Sequence, residues 1–139
     1  MAVKGLKTQL LPNCCYKDLV VVEIEIINGN GARKRVVVAS SYLPYGEDNP
    51  LPSNRVVDLV EFCQREWLPL ILGCNVNAHH KVWGTTDTNG KGEKLLEFLV
   101  STDLKILNRG GEPTFVTVVR KEVLGLTVRS RQLAQKMTD

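Results

Sequence analysis

The feature that most constrains this chain is a pair of β-branched runs separated by a turn. Residues 18–27 read DLVVVEIEII, and Val22 to Ile26 alternate apolar with acidic. Period-two alternation puts one set of side chains into a core and the other into water, which suits a strand and not a helix. Asn28-Gly29-Asn30-Gly31 follows. Asn and Gly tolerate positive φ, so the chain can reverse there. Residues 33–43, RKRVVVASSYL, then return as a second strand. A long hairpin is expected, with Val36-Val37-Val38 predicting burial on both faces.

The rest of the chain alternates helix and strand signals. Residues 44–52 hold Pro44, Gly46, Pro50 and Pro52 and read as a surface loop. Ser53 is a candidate N-cap for a helix over 54–66. Val56, Val57, Val60 and Cys63 should face its core, with Asp58, Glu61 and Arg65 in water. The run LPLIL at 68–72 predicts a short buried strand with Pro69 near its start. Residues 73–90 read as a polar loop, and 91–102 as a second helix with Leu95, Leu96 and Leu99 inward. Short strands are expected at Leu104 to Leu107, Thr114 to Val119 and Glu122 to Val128. From residue 18 onward the order is strand-strand-helix-strand-helix-strand-strand-strand, a mixed α/β domain. A length of 139 residues accommodates one such domain, 1–139.

Charge and cysteine content narrow the classes of function. The net charge of +3 is too small to imply a nucleic-acid partner by itself. Residues 1–119 are balanced, so the excess lies in a basic C-terminal segment, 120–139. There Arg120, Lys121, Arg129, Arg131 and Lys136 face Glu122 and Asp139. Such a segment suits a phosphate backbone, and equally a solvated surface. The four cysteines, Cys14, Cys15, Cys63 and Cys74, form no C-x-x-C pair, which argues against a zinc knuckle. No signal peptide or membrane span is visible. An intracellular protein, nuclear or cytoplasmic and not secreted, is the expectation.

Polar groups cluster immediately after the 68–72 strand. Asn75 and Asn77 are two apart, so an extended backbone places them on one face. Each amide can hold a phosphate oxygen or a water, and each can equally terminate a strand or make a turn. His79 and His80 are the chain's histidines, adjacent in sequence. Adjacent imidazoles chelate one metal poorly. Proton transfer or phosphate contact is one role for them. A ring bonded to the loop backbone, with Trp83 packed below, is the other.

Several ordered motifs here resemble the endonuclease domain of non-LTR retrotransposons, of the DNase I-like endonuclease/exonuclease/phosphatase superfamily. They are Ser41-Tyr42-Leu43-Pro44, Gly73, Asn77-Ala78-His79-His80, Trp83-Gly84, the helix LLEFL at 95–99, Leu107-Asn108 and Pro113-Thr114-Phe115. The likeness runs from about residue 10 to about residue 130. It implies an α/β sandwich of mixed, largely antiparallel sheets with flanking helices, present here in part. It also implies Mg²⁺-dependent hydrolysis of a DNA phosphodiester, in which metal and fixed donors stabilise charge developing on the phosphate. By resemblance, Tyr42 and Asn77 match residues that contact the scissile phosphate. Thr114 matches a position near the DNA-binding surface, and His79 and His80 fall among substrate contacts.

Two positions depart from the family's pattern. Asn75 stands where the family has an Asp that orients or deprotonates the attacking water. Gly125, in VLGLT, stands where it has an Asp that holds a catalytic His. An amide cannot take up a proton in that role, and losing a general base costs about 10²–10⁴ in rate. The family's first Asn, its metal-binding Glu and its later Ser-Asp-His motif have no counterpart in this sequence. The expectation is a partial, catalytically impaired copy that holds Mg²⁺ poorly, with a non-catalytic nucleic-acid-binding or interaction role as the alternative. DNA is the implied partner. With six expected strands, too few for two complete sheets, edges and apolar faces should be left exposed and favour self-association.

Overall fold

A computed structural model of the chain describes residues 3–42, 52–75, 80–83, 85, 87–107, 115–116, 121–122 and 125–131. Residues 44–51 of the expected 44–52 loop, together with Asn77, Ala78, His79, Gly84, Asn108, Pro113, Thr114 and the tail over 132–139, lie outside the described residues.

The hairpin is present. Strand β2 (Leu19–Asn28) pairs antiparallel with β3 (Arg33–Tyr42) in unbroken register from Leu19↔Ser41 to Ile27↔Arg33. The turn is closed by the Asn28 side chain, whose Oδ1 accepts from the Asn30 and Ala32 N–H groups at 3.0 and 2.9 Å. Gly31 takes φ +80°, which an L side chain would resist. Outside β2 lies a strand that the sequence did not suggest, β1 (Val3–Leu10). Lys4, Gly5, Lys7 and Gln9 break any apolar alternation there. Pairing with β2, from Leu6↔Ile26 to Leu10↔Val22, creates the strand where local propensity does not.

From β3 the chain crosses through helix α1 (Asn54–Arg65) to β4 (Leu70–Asn75), which lies parallel to β3. Ser53 caps α1, its side chain accepting from Val56 N–H at 3.4 Å. The buried stripe is Val56, Leu59, Val60 and Cys63. This corrects the expected set, because the i, i+3, i+4, i+7 spacing brings in Leu59 and leaves Val57 half-buried. Pro69 is buried just before β4, where its missing N–H costs the sheet nothing. Strand β4 continues to Asn75, so the expected 73–90 loop is shortened from its front. Helix α2 (Gly90–Ser101) is capped by Asn89, which accepts from Gly92 N–H at 2.8 Å. Leu95 and Leu99 are buried and Leu96 is half-buried. Gln64 Nε2 donates to the Thr102 carbonyl at 3.1 Å, tying the end of α1 to that of α2.

Three expected C-terminal strands become four: β5 (Lys105–Ile106), β6 (Phe115–Val116), β7 (Lys121–Glu122) and β8 (Gly125–Arg129). The expected 122–128 strand is thus divided, and its parts join different sheets. One sheet runs β1-β2-β3-β4-β8-β5, and β6 and β7 form a second pair. Among the described strands, only the β3–β4 pairing is parallel.

One face of the six-stranded sheet carries the core. Val21, Val37, Leu70, Leu72, Leu126 and Val128 lie there, with Val60 and Leu95 from the helices in the same buried cluster. Ser130 closes the cluster's edge. Its N–H donates to the Leu70 carbonyl, and its Oγ accepts from the Leu70 N–H, both at 2.9 Å. Beyond the core, the same face becomes charged. Arg35 Nη2 donates to Glu23 Oε2 at 2.7 Å, and Arg33 Nη1 donates to Glu25 Oε1 at 3.0 Å.

Candidate functional site

Parallel β3 and β4 end side by side, and β8 begins at the same end of the sheet. The register aligns Tyr42 with Asn75 and Asn75 with Gly125. Three positions that are 33 and 50 residues apart in sequence therefore form one row across adjacent strands. Neighbouring strands are about 4.8 Å apart, so the row spans about 10 Å of backbone. Rigid strand ends of this kind are where α/β folds collect ligand-binding groups. The Tyr42 side chain is 49% exposed, so its hydroxyl is available to a ligand.

A fourth residue extends the row. Asp18, an exposed acid that the motif pattern did not single out, lies across from Tyr42, and its carbonyl accepts from Tyr42 N–H at 2.9 Å. It was legible in principle. Every β2–β3 pair is symmetric about Asn30, from Ile27↔Arg33 to Leu19↔Ser41. Counting outward from the turn leads to Asp18 opposite Tyr42.

His80 does a different job. It is half-buried, and its Nδ1 accepts from Val82 N–H at 3.1 Å. Its carbonyl accepts from Thr85 N–H at 3.4 Å. These contacts brace a short 3-10 turn, Lys81–Trp83, that is held further by Thr88 Oγ1 accepting from Lys81 N–H at 3.3 Å. Of the two roles open to the histidines, the structure shows ring-to-backbone bonding for His80. The ring also lines a hollow of about 480 Å³ with Glu93, Leu96, Glu97, Val100 and Ser101 of α2. Two carboxylates make that hollow unsuited to a phosphate. Asn77, His79 and Thr114 lie outside the described residues.

Tyr42, Asn75 and Gly125 offer a phenol, an amide and a bare backbone, with the Asp18 carboxyl at the outer end of the row. A hard divalent cation prefers anionic oxygen ligands, and neither Asn75 nor Gly125 provides one. Among the described residues no group of three or more His, Cys, Asp or Glu side chains is placed to hold a metal ion. Cys74, which precedes Asn75, does not supply one either. Burial pushes its thiol up to about 12, so it stays protonated. No described helix is long and apolar enough to cross a membrane.

The fold is shared with solved structures. The chain is similar to the endonuclease domain of TRAS1, a telomere-specific non-LTR retrotransposon, at TM-score 0.72 and 24% identity, covering 94% of this chain and 58% of that one. It is also similar to the Xenopus laevis APE2 catalytic domain, at TM-score 0.54 and 13% identity, covering 85% and 47%. The chain thus spans somewhat over half the length of the TRAS1 domain. No curated protein matches it by sequence. The sequence model of the endonuclease-reverse transcriptase family matches residues 36–139, a stretch that contains β4, both helices and the whole Tyr42–Asn75–Gly125 row. The chain belongs to the endonuclease-reverse transcriptase family.

Proposed function

We propose that this chain carries the phosphate-facing half of a DNA endonuclease site whose hydrolytic step is impaired. The observation that supports this most directly is the row at the sheet end. It joins Tyr42, which can donate a hydrogen bond to a phosphate oxygen, to two neighbouring positions that carry no charge. In the active family pattern those positions are acidic. The first of those acids would orient or deprotonate the attacking water and the second would hold a catalytic His, while Mg²⁺ would stabilise charge on the phosphate. Here Asn75 can hold a water but not take its proton. Asn77 and Thr114 are assigned to the same DNA surface by motif, and His79 and His80 to the loop beside it.

The test is Mg²⁺-dependent nicking of supercoiled plasmid. The unmodified chain should be slower by about 10²-fold or more than an Asn75→Asp/Gly125→Asp variant. Efficient nicking by the unmodified chain, abolished in a Tyr42→Phe/Asn77→Ala control, overturns the impairment. The basic excess in residues 120–139 favours a second use, nucleic-acid binding without cleavage. That use predicts a gel shift that weakens steeply with salt, and no shift at low salt refutes it.

A further inference from the structure

Helix α1 begins at the end of the sheet where the row lies, because β3 stops at Tyr42, α1 starts at Asn54 and β4 runs parallel to β3. Its second residue, Arg55, is exposed, and the guanidinium stacks 3.7 Å from the centre of the Tyr16 ring. Among the described residues no carboxylate pairs with Arg55, although Asp58 lies one turn further along the helix. The first turn of α1 holds no acid, so the Arg55 charge meets the positive end of the helix dipole unrelieved. Such a position costs the helix stability and suits an anion. Stacking uses the flat face of the guanidinium and leaves its in-plane N–H donors for a ligand.

Tyr16 belongs to a tight turn beside the row. Its N–H donates to the Leu19 carbonyl at 2.8 Å, and the Leu19 N–H donates back to the Tyr16 carbonyl at 3.2 Å. Asp18, within that turn, is the residue opposite Tyr42. Two residues of chain and one cross-strand pair put Tyr16 within about 13 Å of Tyr42, Cα to Cα. That is about four nucleotides along one strand of a duplex. Lys17 is exposed in the same turn, and with Arg55 it outnumbers the Asp18 carboxylate.

We propose that Arg55, steadied on the Tyr16 ring, and Lys17 bind a backbone phosphate of DNA that flanks the phosphate at Tyr42. This contact presupposes that the row takes a DNA phosphate, and it carries the nucleic acid past the end of β3 toward the start of α1.

Fluorescence anisotropy of a short labelled DNA duplex, titrated in chelator across a series of salt concentrations, tests this. One phosphate contact adds about 0.9 to the slope of log affinity against log salt, which is about eightfold between 1 M and 0.1 M. Arg55→Gln should therefore lower the slope by about 0.9 and weaken binding about eightfold at 0.1 M salt. Lys17→Gln should weaken it further in the double variant. Tyr16→Phe keeps the ring and should bind as wild type, whereas Tyr16→Leu should weaken binding with every charge still in place. Arg65→Gln removes the same charge at the far end of α1 and should leave the slope unchanged. Far-ultraviolet dichroism should be that of wild type throughout. Equal losses in Arg55→Gln and Arg65→Gln would reveal an effect of net charge alone and overturn the contact. Wild-type affinity and slope in Arg55→Gln/Lys17→Gln overturn it too, and leave the reading of the row intact. A wild-type chain that binds no duplex at low salt overturns both.

Discussion

Restoring acids at Asn75 and Gly125 offers a test of the row that needs no catalysis. The two residues are directly opposed across an antiparallel pair, which brings Cβ atoms to about 5 Å. Two aspartates there would repel by about 3 kcal/mol at an effective dielectric of about 20, and by about half that where water reaches the strand ends. A double-mutant cycle of Asn75→Asp and Gly125→Asp, followed by urea unfolding in the presence of a chelator, isolates this interaction from the separate effects of each change. The double variant should be less stable than the sum of its parts by about 1.5–3 kcal/mol. Millimolar Mg²⁺ should abolish that coupling by bridging the carboxylates. Sodium chloride at matched ionic strength should not, because the screening length of about 10 Å at 0.1 M exceeds their separation. Additivity within about 0.5 kcal/mol in chelator would show that the two positions do not face each other. A coupling insensitive to Mg²⁺ would show that the row cannot hold a cation even with its acids returned.

Three further outcomes follow from the packing. Leu72→Ala removes a side chain that is 2% exposed at the centre of the sheet, and should cost about 2–5 kcal/mol in urea unfolding; a loss under about 1 kcal/mol would mean the core is loosely packed there. The Arg35 guanidinium holds the Glu23 carboxyl below its ordinary value of 4.5, so the folded pKa is depressed and the stabilisation is present above pH 4.5 and lost as pH falls through the lowered value. Wild type should therefore exceed Glu23→Gln by up to about 1 kcal/mol at pH 7, with the gap closing in acid; a gap that widens on acidification contradicts the pairing. Burial raises the Cys63 and Cys74 thiols to about 12, leaving roughly 10⁻⁴ of each as thiolate at pH 8. Iodoacetamide followed by peptide mapping should modify both only after unfolding, and rapid native labelling of either would show that its strand or helix opens locally.

The elements that the sequence announced are those whose local signals agree with their tertiary setting. The hairpin combines β-branched alternation with a turn only Asn and Gly accept readily. The helices begin at Ser53 and Asn89, whose side chains satisfy free N–H groups. Where the two levels diverge, the sequence misleads. Val3–Leu10 shows no apolar alternation, and becomes a strand because it pairs along the edge of β2. Residues 122–128 read as one strand, and divide because Lys121–Glu122 pairs with Phe115–Val116 while Gly125–Arg129 pairs with β4 and β5. Periodicity records which side of a strand is buried, but not which strand lies next to it.

The site was legible as a list of residues and not as a row. Motif likeness nominated Tyr42, Asn75 and Gly125 for separate reasons, one a phosphate contact and two as acids replaced. Nothing in the spacing of a sequence says that the two replaced positions are cross-strand neighbours, since that depends on β8 returning antiparallel to β4. Adjacency changes the meaning of the substitutions. An isolated Asp at either position would sit beside a neutral partner with little to repel it, whereas two together demand a cation or pay about 1.5–3 kcal/mol in repulsion. Neutral residues at both positions spare the strand ends that repulsion. The capped helices and the buried cluster around Leu72 lie outside the row, so the stability of the fold does not rest on which charges the row carries.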